Sequence, residues 1–231
     1  MDELRANEGR EELITVDGIT YSRLPVKTCL VTAEHNLSDV LEEYVKPYTK
    51  EGDIVFVSEK MVACSQGRSI PVDTIKASGL AKFLSKFVEP VYSLGLGQPE
   101  TMQCAIDEVG APRILVAAAA GAMGKLLRKR GWFYKVAGTK VAQIDGPAVR
   151  TIPPYDTQVV LTALEPVKCS KEAKERIGVD VAIVDANRVA CRLCGASSES
   201  ITEEWLNKVL SDNPLGQGTQ QTPCGIIRKV N

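Results

Sequence analysis

Residues 52 to 57 read Gly52-Asp53-Ile54-Val55-Phe56-Val57, a turn signal followed at once by a short apolar run. Glycine and aspartate favour turns, and β-branched and aromatic residues in a run of this length are typical of a buried strand. A second such run covers residues 179–184 and ends at Asp185. Both runs predict buried strands, so we expect a sheet with a covered core.

Helical patterns are mixed with strand patterns along the rest of the chain. Asn36 is a candidate helix N-cap, because Leu37, Val40 and Leu41 follow it at helical spacing. The class is therefore α/β or α+β. Further predicted elements are helices over residues 81–88, 100–109 and 170–177, a last helix from a capping box at Ser200 to Leu210, strands over residues 28–33, 114–118 and 224–230, and a hairpin over residues 132–144.

The composition is that of a globular chain, with 44% hydrophobic and 25% charged residues. The 28 Lys and Arg against 29 Asp and Glu leave a net charge of −1, which argues against a nucleic-acid partner. The longest apolar run, residues 114–123, is too short for a spanning helix of roughly 20 residues, and no signal peptide is visible. We expect a cytoplasmic protein without a membrane partner, built as a polar N-terminal tail (residues 1–13) and a single domain (residues 14–231).

Two aspartates follow apolar-rich runs, Asp145 before Gly146-Pro147 and Asp185 before Ala186. Open α/β sheets bind ligands just beyond the carboxyl ends of strands, and carboxylate oxygens suit hard divalent cations. Two such ends converging in space would make a metal site, although a single aspartate is more often a turn residue or a cap. A loop with Gly216 and Gln217 is a weaker signal, because glutamine-rich loops are usually just solvated.

A possible phosphate site directly follows the strand at residues 54–57. Ser58-Glu59-Lys60 and then Ser65-Gln66-Gly67-Arg68 offer hydroxyls, a glycine turn and two cations. A helix start followed by a polar turn explains the same residues equally well. Both interpretations stay open at this point.

Two other motifs are rejected as sites. Gly124-Lys125 lacks the first glycine and the Ser or Thr of a P-loop, so a close-packing segment before a basic helix fits better. Cys191 and Cys194 form the only C-x-x-C, and a zinc site would need a second pair or histidines. The seven cysteines are interpreted as reduced thiols.

With these motifs in this order, the chain resembles the coenzyme F420-0:gamma-glutamyl ligase family from about residue 24 to residue 229. The chain is most similar to a shorter, divergent branch of that family. The resemblance implies an α+β (mixed α/β) fold with mixed sheets and flanking helices, and an intertwined homodimer. Its markers are Gly52-Asp53 with the following strand, Gln66-Gly67-Arg68, Ile144-Asp145-Gly146, residues 181–187 and Gly216-Gln217.

Family members join glutamate to the deazaflavin precursor F420-0 with GTP and a divalent metal, manganese or magnesium. The resemblance implies that Asp145 and Asp185 share one metal ion and that Gln217 binds a second. The metal ions would bridge the nucleotide phosphates while a substrate carboxylate becomes an acyl phosphate, which an amino-acid amine then attacks. Asp145, Asp185 and Arg68 are the candidate catalytic residues. The nucleotide would lie against Lys60, Ser65, Gln66, Gly67 and Arg68.

Two positions depart from the family pattern. The family's nucleotide-binding turn corresponds to residues 63–68 here, which we call the nucleotide turn, and Cys64 replaces its lysine. The family has a threonine directly after the second aspartate, and Ala186 replaces it. The segment between that aspartate and the Gln217 loop is also shorter. The alternative to an amide ligase is therefore a non-catalytic relative that binds a nucleotide or metabolite as a regulator or scaffold. The sequence does not choose between GTP and ATP, nor name the acceptor.

Overall fold

The computed structural model describes residues 3–88, 95–129, 131–148, 151–186, 190–216 and 218–230. Contacts divide the chain into two compact units. The sheet unit contains Met1–Gly67 and Ala163–Asn231, and the helical unit contains Arg68–Thr162. Whether they fold together as the single domain expected over residues 14–231 stays a prediction.

Helices and strands are mixed along the described chain, which confirms the mixed α+β class. The strands are β1 Leu13–Val16, β2 Ile19–Val26, β3 Ile54–Ser58, β4 Ser69–Pro71, β5 Gln158–Val160, β6 Asp180–Ala186, β7 Cys191–Ala196 and β8 Cys224–Lys229. The α-helices are α1 Leu37–Tyr44, α2 Glu59–Ser65, α3 Gly79–Ser85, α4 Pro99–Val109, α5 Ala111–Leu126, α6 Trp132–Ala137, α7 Thr139–Ala142, α8 Pro166–Ile177 and α9 Glu203–Val209.

The sheet unit is built on a mixed six-stranded sheet in the order β1-β2-β8-β3-β6-β7. Only the β3–β6 pair is parallel among these described strands, and it runs in register from Ile54 opposite Asp180 to Ser58 opposite Val184. Both strands are apolar runs buried on two faces, as the sequence predicts for central strands.

One close approach in this sheet requires a glycine. Phe56 is fully buried and lies opposite Gly225 on β8. A Cβ at Gly225 would lie 2.6 Å from the Phe56 ring and 2.9 Å from the Leu24 carbonyl oxygen. The ring therefore fills the space that a side chain on the neighbouring strand would need.

The helical unit packs α3 to α7 around its own apolar core, with the short antiparallel pair β4–β5 beside it. Gly124 allows close packing inside this unit, because a Cβ there would lie 2.7 Å from the Lys129 carbonyl oxygen and 3.1 Å from Trp132. The residues that mimic a P-loop thus lie within α5, where they pack as a small-residue segment. The core members are Ala81, Leu84, Leu96, Met102, Cys104, Ala105, Ile114, Ala117, Ala137, Val141, Ile144, Val159 and Leu161.

Several predicted elements are confirmed to within a few residues: β3, β6, β8, α1, α3, α4 and α8. Asn36 caps α1 as expected, its Oδ1 accepting the backbone N–H groups of Ser38 at 2.9 Å and Asp39 at 3.4 Å. The last helix begins later than predicted, because its N-cap is Thr202 rather than Ser200. The Thr202 hydroxyl accepts the N–H of Trp205.

Two predictions for the helical unit, one strand and one hairpin, are wrong. Residues 114–118 lie inside α5, and the hairpin expected over residues 132–144 is the helix pair α6 and α7. Short apolar runs do not distinguish a strand from a buried helix. In α5 the run continues into alanines, the strongest helix formers, and Pro112 in the first turn favours a helix start.

The strand predicted over residues 28–33 is also wrong, since no strand is found in this described segment. At the start of the segment, the Thr28 backbone bonds to the loop residue Gln221 instead. The Thr28 N–H donates to the Gln221 carbonyl oxygen at 3.3 Å, and Gln221 Nε2 donates to the Thr28 carbonyl oxygen at 2.7 Å. Thr28 and Val31 are nevertheless buried, which explains the apolar pattern.

No single helix in the described ranges is long and apolar enough to cross a membrane. The pair α4 and α5 reaches that length and composition only when taken together, and the two helices are bent by 117°.

Candidate functional site

Three strand ends of the sheet unit meet at one edge of the sheet. Because β3 and β6 are parallel and Ser58 lies opposite Val184, Glu59 at the start of α2 lies beside Asp185, the next-to-last residue of β6, which pairs with Arg192 on β7. Strand β8 runs antiparallel to β3 and enters at the same edge, where the Ser58 N–H donates to the Pro223 carbonyl oxygen at 2.8 Å. This edge is the carboxyl end of parallel strands, where open α/β sheets place their ligands.

Asn213 links the end of β6 to the loop before β8. Its side chain is 2% exposed, and Nδ2 donates to the carbonyl oxygens of Ala186 at 3.0 Å and Gly216 at 3.1 Å. Two carbonyl acceptors set the orientation of the amide, since the flipped form would place oxygen against oxygen. Ala186 follows Asp185 along the chain, and Gly216 precedes Gln217. Gln217 itself lies outside the described residues.

The other half of the Asn213 amide is an oxygen donor in a buried position. Asn213 Oδ1 has no hydrogen-bond partner among the described residues. Leaving a buried amide oxygen unpaired costs about 1–3 kcal/mol. The backbone is also held in the left-handed region, with φ of 51° at Asn213 and 78° at Gly216. A buried oxygen that lacks a partner suits a cation, a water molecule or a ligand donor.

Asp145 lies in the helical unit and is held differently. It follows helix α7 rather than the predicted strand, and its backbone forms a two-bond pair with Val160, both N···O distances being 2.9 Å. Its side chain is exposed, whereas Gly146 is buried. Asp145 and Asp185 belong to different units, so their sharing of one cation stays a prediction.

Thr101 places a second unpaired oxygen near Asp145. The residue is fully buried, and its Oγ1 has no hydrogen-bond partner within the described ranges. A Cβ built on Gly146 would lie 3.2 Å from this hydroxyl and 2.9 Å from the Gly95 nitrogen. The turn that carries Asp145 therefore lies directly against α4 and the Gly95–Gly97 turn.

The polar side chains of the predicted nucleotide turn form hydrogen bonds with other residues of the protein. Gln66 forms two bonds with the Leu164 backbone, accepting its N–H at 2.8 Å and donating to its carbonyl oxygen at 2.9 Å. The Ser65 hydroxyl donates to the Val62 carbonyl oxygen at 2.8 Å. Gly67 has φ of 69°, which only glycine adopts readily. These contacts stabilise the turn itself.

Arg68 is the first residue of the helical unit, and its charge is already paired. Its Nη2 lies 2.9 Å from Glu108 Oε2, and its Nε donates to the Thr162 carbonyl oxygen at 2.6 Å. Both members of the ion pair are mostly buried. The predicted role of Arg68 in orienting a phosphate stays a prediction, and it requires the Glu108 pair to be shared or broken.

Glu59 is the functional candidate that sequence reasoning missed. It is buried in the first turn of α2, and its carboxylate accepts the backbone N–H of Ala163. Lys60, the next residue, is half-buried. The available signal was an acidic residue directly after a buried strand, at a helix start where negative charge is favoured.

A cleft of about 450 Å³ opens on the sheet unit beside the nucleotide turn. Its lining includes Ser65, Gln66, residues 33–38 at the start of α1, and Cys169 and Glu172 of α8. Burial, reinforced by the Glu172 carboxylate, raises the pKa of the Cys169 thiol above its ordinary value. The thiol is therefore protonated at neutral pH, where it is a weak nucleophile.

The only histidine of the chain lies in this cleft and is held by its own loop. The Thr32 N–H donates to His35 Nδ1 at 3.2 Å, and the Thr32 hydroxyl lies 3.0 Å from the same nitrogen. Glu34 and Glu172 add two carboxylates to the lining. Carboxylates repel phosphates, so the cleft fits an amino group better than a triphosphate.

Among the residues that the structure describes, no three His, Cys, Asp or Glu side chains lie together as a metal site. The set predicted from the sequence is of another kind, two aspartates and the amide of Gln217. All its donor atoms are oxygens, as magnesium and manganese prefer.

Comparison with protein families identifies the chain. The model of the F420-0:gamma-glutamyl ligase family matches residues 25–196, well over half of the 231 residues. This span includes Asp145, Asp185 and the nucleotide turn, and it stops before Asn213. Comparison with curated proteins gives no match. The chain belongs to the F420-0:gamma-glutamyl ligase family.

Proposed function

We propose that the protein is a metal- and GTP- (or ATP-) dependent amide ligase that joins an amino acid, glutamate in the first instance, to a carboxylate acceptor. Membership of the family supports the ligase class. The observation that carries the proposal is the Asn213 amide, which binds Ala186 beside Asp185 and Gly216 beside Gln217 at one edge of the sheet.

All the donor atoms assigned to the metal are oxygens, which fits manganese or magnesium. Asp185, Asp145 and Gln217 would hold it, and the unpaired Asn213 Oδ1 is a further oxygen in the same neighbourhood. When bound, the metal would neutralise charge on the nucleotide phosphates during transfer. The register of β3 and β6 keeps the Asp185 backbone beside the start of α2.

The reaction has two steps, phosphorylation of the acceptor carboxylate and then formation of the amide bond. A carboxylate oxygen of the acceptor attacks the γ-phosphorus, the bond to the nucleoside diphosphate breaks, and an acyl phosphate forms. The neutral amine of the amino acid then attacks the acyl carbon, phosphate leaves, and the amine loses a proton. Neither step needs a protein nucleophile, which agrees with a protonated Cys169 and a single histidine.

Lys60 is the cation we assign to phosphate orientation. The family's lysine falls on Cys64, which is buried and carries no charge. Lys60 lies one helical turn earlier on the same side of α2, directly after the edge where β3 ends. A lysine there supplies positive charge close to Asp185 and its metal.

The test is turnover of the purified protein with manganese, GTP or ATP, glutamate, and F420-0 or a panel of other carboxylic acids. We expect phosphate release together with an amide product detected by mass spectrometry. Asp185→Asn should abolish both, while Asp73→Asn, an exposed aspartate of the helical unit, should leave both unchanged. Folded protein that releases no phosphate with any acceptor would falsify the proposal.

A non-catalytic binding role is the second candidate. It is favoured by the engaged side chains of the nucleotide turn, where Gln66 binds Leu164 and Arg68 binds Glu108. Calorimetry that finds tight nucleotide binding without turnover would support it over the ligase. We also propose a homodimer, which light scattering would test, since a monomeric mass would contradict it.

A further inference from the structure

The N-terminal segment is hydrogen-bonded to both arms of the loop before β8. We name this loop, residues 213–222, the β8 loop. Asn7 Nδ2 donates to the Pro214 carbonyl oxygen at 2.8 Å and to Thr222 Oγ1 at 2.9 Å. The Thr222 hydroxyl donates in turn to the Leu215 carbonyl oxygen at 2.9 Å. One amide and one hydroxyl thus join the beginning of the loop to its end.

A second anchor fixes the segment next to the start of the loop. Arg23 on β2 is 1% exposed, and its guanidinium binds both the Glu11 carbonyl oxygen and the carboxylate of Asp212. Its backbone N–H donates to the Glu12 carbonyl oxygen at 2.7 Å. Charge-assisted bonds from a buried arginine are strong, so this anchor is stable. We name residues 7–12 the strap.

The β8 loop depends on such bonds for its conformation. It contains neither a helix nor a strand within its described residues, and three of its positions have φ above 50°: Asn213, Gly216 and Gln221. Its tip, residues 218–220, is exposed. Leu215 is buried in the apolar core of the sheet unit, whereas the exposed tip has few apolar contacts and opens at low free-energy cost unless side chains hold it. The strap supplies two of those holding bonds through Asn7.

The loop in turn supports the candidate site. Asn213, at its start, binds Ala186 next to Asp185, and Pro223, directly after its end, accepts the Ser58 N–H. A strap that restrains the loop therefore restrains the donor groups at this edge of the sheet. Restricting a binding loop to its bound conformation raises affinity by reducing the ordering cost.

We propose that Asn7 is a positioning residue, through which the strap preorganises the β8 loop for a divalent cation at the Asp185 edge. The inference rests on the proposed function, which places the cation there. Because Asn7 acts on the loop and not on the cation, its removal should alter loop dynamics first and cation affinity as a consequence.

The experiment compares Asn7→Ala with Glu8→Ala, an exposed neighbour in the same strap. Hydrogen exchange of the β8 loop amides and manganese affinity by electron paramagnetic resonance are measured on the same full-length preparations. Losing two hydrogen bonds should raise loop exchange about tenfold in Asn7→Ala. Apparent affinity falls with the competent fraction, so a tenfold rise from an open-to-closed ratio of about 0.3 should raise the manganese Kd about threefold, and never by more than the exchange. Glu8→Ala should change neither.

A second variant tests the same chain of bonds from the loop side. Thr222→Val removes the hydroxyl that accepts from Asn7 and donates to Leu215. We expect the same two changes, and a double variant less affected than two independent losses would give, because both variants remove a shared bond.

The possible failures are distinct. Unchanged loop exchange in Asn7→Ala would overturn the strap's hold on the loop. Faster exchange with a wild-type manganese Kd would overturn the positioning role while the proposed function stands. Wild-type protein that binds no manganese would overturn the proposed function and the positioning role together.

Discussion

The sheet unit and the helical unit hold their candidate aspartates by different physical means. Asp185 lies one residue before the end of β6, the second strand from the β7 side of the six-stranded sheet, where the register of two neighbours and a buried amide determine its position. Asp145 is an exposed residue after a short helix, held by one backbone pair with Val160. Strand pairing makes the position of Asp185 hard to move, whereas the position of Asp145 depends on a few contacts.

The largest expected effect is a loss of folding stability when a closely packed glycine is replaced, and we compare one such glycine from each unit. Gly225→Ala would push a methyl group into the buried Phe56 ring, and we expect a loss of about 2–3 kcal/mol in unfolding free energy. Gly146→Ala meets the Gly95 backbone in a short turn that is able to shift, so we expect about 1 kcal/mol. Urea unfolding measures both.

Gly79→Ala is the matched control, since a Cβ there meets no atom within 4 Å and Gly79 starts a helix. It should be neutral or slightly stabilising. Equal losses for Gly225→Ala and Gly146→Ala would contradict the contrast between a rigid sheet position and an adaptable turn.

A second prediction asks whether the two units act on one cation. Asp145→Asn and Asp185→Asn should each weaken manganese binding by roughly tenfold or more if both carboxylates bind the same ion. The double variant should then lose much less than the product of the two factors, because residues of one site are strongly coupled. Titration calorimetry on all four proteins gives the coupling. Independent, multiplicative losses would mean separate sites.

The smallest expected effect lies at the other end of β6. Burial alone would raise the pKa of Asp180, but hydrogen bonds from Lys174 at 2.8 Å and Ser197 at 2.7 Å outweigh it and lower the pKa. A depressed pKa stabilises the fold above the unfolded value of about 3.9, and this stability is lost as the pH falls through the folded value.

Lys174→Gln should therefore cost less than about 1 kcal/mol at pH 7, because the pair is partly exposed, and the difference from wild type should vanish as the pH falls below the folded pKa of Asp180. Carbon NMR titration should show the pKa of Asp180 rising in the variant. Lys171→Gln, an exposed lysine on the same helix, serves as the control. A difference that persists at low pH would mean that Lys174 acts by packing.

Sequence reasoning succeeded where a single periodic pattern decides the element. The apolar runs of β3 and β6 and the Asn36 cap are confirmed because the residues themselves enforce them. It failed at residues 114–118 and 132–144, which are helical, since an apolar run of that length fits either element and the packing partners decide. It also gave the N-terminal residues no role, although Asn7 binds the β8 loop through partners more than 200 positions away.

The sequence alone determined the class of fold and the central strands, which depend on patterns of neighbouring residues. It also determined the family, which depends on the order of several markers along the chain. Only the tertiary structure decided that Gln66 and Arg68 are paired within the protein, that Glu59 is buried, and that Asn213 connects the Asp185 strand end to the β8 loop. The physical reason is that hydrogen bonds and ion pairs join residues distant along the chain. No pattern of neighbouring residues encodes such partners until the strand register brings them together.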